Sequence, residues 1–100
     1  MDNFNVNLTI TDICCGKCTK RVNEKTISVY DSSTLIPLQD GFSLRILSAN
    51  STRVVIEIRK SFVRIIRFVY INSETNICLP CSECCLEHIL KIRINSIVTN

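Results

Sequence analysis

Residues 3–11 read NFNVNLTIT, and their side chains alternate between apolar and polar without a break. Successive side chains of a β-strand point to opposite faces of the sheet, so this alternation predicts a strand with one buried and one polar face. The apolar face carries Phe4, Val6, Leu8 and Ile10. The segment predicts either the first strand of the domain's own sheet or an arm that adds to the sheet of a neighbouring subunit.

Most of the chain beyond this segment also alternates, with turn residues in between. Short strands separated by turn clusters are typical of antiparallel all-β domains. The segments predicted as further alternating strands are 26–30, 42–46, 53–59 and 88–98, and the turn SANST at 48–52 predicts a hairpin between 42–46 and 53–59.

The sequence therefore predicts an all-β fold, an antiparallel β-sandwich or jelly roll with an N-terminal arm strand. Residues 1–24 would form the N-terminal strand and a cysteine-bearing connector, and residues 25–100 would form the sandwich domain. A chain of 100 residues is long enough for one modest core and too short for two.

Residues 62–71 differ from the other predicted strands because both of their faces are mostly apolar. One face would carry Phe62, Ile66 and Phe68, and the opposite face is rich in valine and isoleucine. Such a pattern predicts a strand that is covered on both sides. In so small a domain, another subunit is a candidate for the second cover.

Composition and charge narrow the class of protein. The formal net charge of +3 is only mildly basic, and the basic residues alternate along predicted strands as they do on a solvated sheet face. No apolar run reaches the length of a membrane span, and the N-terminal residues lack the pattern of a secretory signal. We therefore expect no membrane span, and nucleic acid is an unlikely partner.

Seven cysteines lie in two clusters, CCGKC at 14–18 and CLPCSECC at 78–85. Each cluster contains two adjacent cysteines, Cys14-Cys15 and Cys84-Cys85. Adjacent residues of a strand point to opposite faces, so one cysteine of each pair can face the interior while the other faces a neighbour. This arrangement suits disulfides between subunits, and an odd count leaves at least one thiol free or paired between chains. The residues expected to form cross-links are Cys14, Cys15, Cys18, Cys78, Cys81, Cys84 and Cys85.

A zinc site is the competing interpretation of the same clusters, with zinc as the only cofactor that the sequence suggests. Pairs of the form Cys-x-x-Cys are the usual building block of a tetrahedral zinc site. If residues 82–92 formed a helix and not a strand, Cys81, Cys84 and His88 would share one face. The ligands in this interpretation are Cys15, Cys18, Cys81, Cys84 and His88.

The sequence favours a protein that is not an enzyme. Redox chemistry of the thioredoxin type needs a βαβ context, whereas this chain is rich in β-strand patterns. A cysteine nucleophile paired with His88 would need an orienting Asn or Asp, and the sequence identifies none in that role.

An N-terminal segment with a Cys-Cys pair, a β-rich body of about one hundred residues and cysteines near the last strands together resemble the subunits of bacterial endospore appendages. The resemblance implies jelly-roll domains that stack into fibres. It also implies that Cys14 and Cys15 form disulfides with a neighbouring subunit, whose partners would lie among Cys78 to Cys85. Such subunits are made inside the mother cell without a signal peptide and meet oxidising conditions later.

Our leading hypothesis is a self-assembling structural subunit of an extracellular or spore-surface fibre or coat, cross-linked by disulfides between copies of itself. The alternative is a small intracellular, cytoplasmic β domain that is stabilised by zinc and binds a protein or nucleic acid. The pairing of the cysteines and the symmetry of the assembly do not follow from the sequence.

Overall fold

Eight strands form two four-stranded antiparallel sheets in the computed structural model, which describes residues 4–99. The first sheet has the order β2-β1-β8-β7 and the second the order β3-β4-β5-β6. The strands are β1 Phe4–Cys15, β2 Lys20–Val29, β3 Ile36–Pro37, β4 Ser43–Ala49, β5 Arg53–Lys60, β6 Val63–Tyr70, β7 Glu74–Leu79 and β8 Glu87–Thr99, with a short 3-10 turn at Gln39–Gly41. The expected all-β class with two antiparallel sheets is confirmed.

The alternating segment at the N-terminus becomes β1, which lies inside the first sheet. It pairs with β2 along one edge, as in Leu8↔Ile27, and with β8 along the other, as in Leu8↔Ile94. Because both edges are occupied within the chain, the strand does not form the arm that the sequence allowed, and this expectation was wrong. Asn3, the first residue of the alternating segment, lies outside the described residues, and the predicted boundary between 24 and 25 falls within β2.

The inner faces of the two sheets form one hydrophobic core. The alternating apolar positions predicted from the sequence point into it, and the central strands β1, β4, β5 and β8 contribute most of its members. The buried apolar residues are Phe4, Val6, Leu8, Ile10, Val29, Ile36, Phe42, Leu44, Ile46, Val54, Ile56, Ile58, Val69, Ile77, Leu79, Leu90, Ile92 and Ile94.

The predicted hairpin between residues 42–46 and 53–59 is present as β4 and β5. The next strand, β6, pairs with β5 and is the last strand of its sheet. Its inward side packs on the core through Val69, but Ile66, Phe68 and Tyr70 on the other side are exposed. The strand was predicted to be covered on both sides, but the chain itself covers only its inward side.

The second cysteine cluster begins in a strand, continues through a loop and ends before a strand. β7 begins at Glu74 and carries Cys78. Residues 80–86 are irregular, and β8 starts at Glu87. The helix that would have aligned Cys81, Cys84 and His88 is thus wrong, because His88, Leu90 and Ile92 continue an inward-facing strand pattern.

No helix among residues 4–99 has both the length and the apolar character needed to cross a membrane.

Candidate functional site

The two cysteine clusters meet at one end of the sandwich, where a disulfide joins Cys14 to Cys85 across 71 positions of sequence. Cys14 lies near the end of β1 on the inward-facing side, and Cys85 belongs to the loop at 80–86. The backbone N–H of Leu86 donates a hydrogen bond of 2.8 Å to the carbonyl of Cys15, which holds this loop against the end of β1.

Each adjacent cysteine pair has one buried, bonded member and one free member. Cys14 and Cys85 are buried, whereas Cys15 is half-buried and Cys84 exposed, both as free thiols. The pattern of one cysteine inward and one outward was predicted, but the inward pair bonds within one chain. The resemblance implied a disulfide from Cys14 to a neighbouring subunit, and the structure places that bond inside the subunit instead.

A buried histidine and a buried aspartate lie next to this disulfide. His88 is opposite Cys14 in the pairing of β1 with β8, and its Nε2 is 2.5 Å from Oδ1 of Asp12. Only 1% of His88 and 2% of Asp12 is exposed to solvent. Such a short contact between two enclosed groups fixes the orientation of the imidazole ring.

The 3-10 turn at Gln39–Gly41 supplies the other partners of Asp12. The backbone N–H of Gln39 donates to Oδ2 of Asp12 at 2.6 Å, and the Gln39 side-chain amide donates to the backbone carbonyl of Asp12 at 2.8 Å. Both carboxylate oxygens of Asp12 therefore have a partner, so that burial leaves neither unsatisfied.

Asp12 was missed at the sequence level, although the sequence contained a signal for it. The inward positions of β1 have even numbers, and Asp12 and Cys14 continue that parity beyond Ile10. His88 continues the parity of Leu90 and Ile92 in the same way. A charged residue at an inward position of a strand indicates a buried partner, and here that partner is the one histidine of the chain.

The second imidazole nitrogen of His88 has no such partner among the described residues. Nδ1 is fully enclosed and makes no hydrogen bond. The rings of His88 and Phe42 pack edge to face, with their centroids 5.5 Å apart. A buried polar atom without a partner costs about 1 to 3 kcal/mol, so this nitrogen destabilises the site.

Asp40 lies on the same side of the disulfide. One carboxylate oxygen of Asp40, one imidazole nitrogen of His88 and Sγ of Cys85 are all within 4.8 Å of one another. Nζ of Lys60 is 3.0 Å from Oδ2 of Asp40. Hydrogen bonds with Ser82 and then Lys60 hold the pKa of Asp40 below its ordinary value, so this side chain is an anion at neutral pH.

The predicted zinc ligands are not assembled around His88. Among residues 4–99, the one group of three potential ligand atoms at close range is Asp40, Cys85 and His88. Cys15 points away from the core at the end of β1, and Cys18, Cys81 and Cys84 are exposed. A Cys-x-x-Cys spacing does not show which cysteine of a strand points inward, and the predicted set stays a prediction.

Two surfaces outside this region also have a distinct character. The outer face of the first sheet has a shallow depression that mixes charges, with Glu24 and Glu74 beside Lys91 and Arg93. The outer face of β6 is mostly apolar, with Arg64 as its one charged residue, and Phe62 in the turn before it is fully exposed. The first surface therefore offers no block of one charge, whereas the second offers a hydrophobic contact area.

No protein-family model, no curated protein and no solved structure matches this chain.

Proposed function

We propose that this chain is a non-enzymatic structural subunit that assembles with copies of itself into an extracellular or spore-surface fibre or coat, with disulfides between subunits. The observation that carries the proposal is the uncovered, mostly apolar outer face of the edge strand β6. The jelly-roll topology expected from the resemblance stays a prediction within this proposal.

The edge of β6 is long and regular, although Arg67 on its inward side, opposite the buried Ile56, is a charge of the kind that discourages pairing. Natural edge strands are usually short, or are interrupted by proline, a bulge or inward-pointing charges. β6 has eight residues, contains no proline and pairs with β5 in an unshifted register. Its unpaired edge is therefore a long, regular template for another strand.

The outward side chains of β6 add a hydrophobic surface to this edge. Phe68 is 52% exposed, Tyr70 50% and Ile66 40%. Exposed apolar side chains that are contiguous on one face mark an interaction surface more often than scattered ones do. Strand addition at β6 would extend the second sheet into the next subunit and would place the side chains of the added strand beside them.

The exposed free thiols favour a second copy of the chain as the partner. After Cys14 and Cys85 have paired, five cysteines remain free, and four of them are exposed. A surface with that many thiols cross-links readily once it meets an oxidant. Contact through β6 gives the assembly its register, and the exposed thiols Cys18, Cys78, Cys81 and Cys84 then make the contact permanent.

Substitution of Phe68 tests the non-covalent contact. Light scattering of the reduced protein during size exclusion is expected to show association of the wild type and monomers of Phe68→Glu, because a charge would replace an apolar side chain where the two subunits meet. Arg53 stacks on the Phe68 ring at 4.8 Å, so a carboxylate there gains a cationic neighbour and the monomer keeps its fold.

The matched control is Tyr30→Glu, since Tyr30 is also exposed, at 60%, but follows β2 in the other sheet. This variant should associate as the wild type does. Equal association of the wild type and Phe68→Glu, or a wild type that stays monomeric at every concentration, would refute the role of β6.

A further inference from the structure

We propose that reduction of the Cys14–Cys85 disulfide creates a zinc site whose four ligands are Cys14, Cys85, His88 Nδ1 and Asp40. This ligand set differs from the Cys-x-x-Cys set that the sequence suggested. The site does not depend on the assembly proposed above, because all four ligands belong to one chain.

The donor atoms suit zinc and are already close together. Tetrahedral zinc sites take cysteine sulfur, histidine nitrogen and aspartate oxygen at about 2.0 to 2.3 Å from the metal. Two such ligands on one ion are therefore about 3 to 4 Å apart. Cys85, His88 and Asp40 offer atoms within 4.8 Å of one another, and Cys14 is bonded to Cys85. Small side-chain movements are enough to close a tetrahedron.

The buried, unpartnered nitrogen of His88 supports the zinc site independently of the distances. Asp12 occupies Nε2, so Nδ1 is the nitrogen that remains for a ligand. Metal-bound histidines almost always donate their other N–H to a carboxylate, a backbone carbonyl or water, which fixes the tautomer and orients the ring. Asp12 stands in that position, and a metal on Nδ1 would satisfy an atom that is otherwise buried without a partner.

The disulfide and the metal site exclude each other, since both use the same two sulfur atoms. A dithiol reductant transfers two electrons and two protons to the disulfide and becomes a disulfide itself, leaving thiols at Cys14 and Cys85. Zinc then binds both as thiolates, and two protons leave to the solvent. Oxidation of the two thiolates by a disulfide oxidant forms the Cys14–Cys85 bond again and releases the ion.

The site would hold this end of the sandwich closed under both redox conditions. The disulfide joins β1 to the loop at 80–86 when the protein is oxidised. Zinc would join the same two segments, together with β8 and the turn at Gln39–Gly41, when it is reduced. A chain that is made in a reducing compartment and later oxidised would therefore keep one fold throughout.

Cobalt binding to the full-length chain tests this site. The probe is Co²⁺, because tetrahedral thiolate coordination gives it visible ligand-field bands and thiolate charge-transfer bands. To separate the two ligand sets, the experiment uses a variant in which Cys15, Cys18, Cys81 and Cys84 are replaced by serine. Reduced anaerobically, this variant should bind one Co²⁺ per chain with both kinds of band, and zinc should displace it. With the disulfide intact it should bind none.

Two substitutions in the same four-serine background test the ligands. Cys85→Ser removes a thiolate, and Asp40→Asn removes the carboxylate while keeping a residue that tolerates the φ of 61° at that position. Each should weaken binding at least about tenfold and alter the bands. Circular dichroism of the metal-free proteins verifies that both still fold.

Glu74→Asn is the matched control in that background, because Glu74 is exposed on β7 and takes no part in the site. It should bind Co²⁺ with unchanged affinity. The proposal fails if the reduced four-serine variant binds no Co²⁺, or if Cys85→Ser binds it as tightly and with the same spectrum.

Discussion

At the scale of single residues, Glu57 shows how an outward-facing carboxylate becomes enclosed. It points away from the core on β5, yet only 1% of it is exposed. Arg45 donates to its Oε1 at 3.0 Å and Arg64 to its Oε2 at 2.5 Å. The two guanidinium groups thus cover the carboxylate from the strands on either side.

These contacts predict a stability that depends on pH. The hydrogen bond from Arg64 is the largest cause that holds the pKa of Glu57 below its ordinary value. A folded pKa below the unfolded one stabilises the protein fully above the unfolded pKa, and that contribution is lost as the pH falls through the folded pKa. Glu57→Gln should lower the free energy of unfolding by about 1 to 3 kcal/mol at pH 7.

Urea denaturation of both proteins between pH 7 and pH 3 measures the effect. The difference between the wild type and Glu57→Gln should shrink as the medium becomes more acidic than the ordinary glutamate pKa. Glu74→Gln, at an exposed position of β7, should differ little from the wild type throughout. A difference for Glu57→Gln that stays constant over this range would contradict the assignment.

Residue-level patterns in the sequence predicted which way side chains point better than they predicted which residues those side chains contact. The parity of β1 and β8 predicted which apolar residues point inward, because the two-residue period of a strand is a local property. That His88 meets Asp12, 76 positions away, depends on the pairing of the first and last strands. No local pattern encodes that pairing.

At the scale of elements, β1 is the strand on which the first sheet is built. Its twelve residues pair with β2 and β8, and its inward side chains are buried throughout. If β1 were an arm that reached a neighbour, the rest of its own subunit would fold without it. As a central strand, β1 is instead required for the subunit to fold.

Leu8→Ala tests the position of β1 directly. Leu8 is fully buried, so the substitution should lower the free energy of unfolding of the reduced protein by about 2 to 5 kcal/mol. Chemical denaturation at two protein concentrations measures this loss, which should not depend on concentration. Thr11→Ala, on the outer face of the same strand, should change the stability by less than about 1 kcal/mol. A loss for Leu8→Ala that appears only at high concentration would instead support an arm.

β6 shows why the presence of a strand is easier to predict than the layer that covers it. The apolar character of both faces was readable at residues 62–71, because it depends on the residues alone. Whether a second layer lies over the outer face depends on the sheet order, which places β6 at an edge. The sequence could therefore identify a surface that needs a cover without identifying the cover.

At the scale of the whole molecule, the Cys14–Cys85 disulfide joins residues 71 positions apart in a chain of 100 and so closes most of it into one loop. Closing a loop of about 70 residues stabilises a folded protein by roughly 4 kcal/mol through the entropy of the unfolded chain. The bond therefore belongs to the stability of the subunit, whereas the exposed thiols are free to link subunits. The sequence indicated the two clusters but not this division, because the division depends on which cysteines the fold buries.

Isotope mapping of the cross-links tests the central claim, that subunits are joined through their exposed cysteines. Reduced chains with natural nitrogen and chains labelled with ¹⁵N are mixed, left to associate, oxidised and digested for mass spectrometry. Disulfides among Cys18, Cys78, Cys81 and Cys84 should include hybrids of light and heavy peptides, whereas the Cys14–Cys85 peptides should be wholly light or wholly heavy. Hybrids at Cys14–Cys85, or no hybrids among the exposed cysteines, would contradict the account.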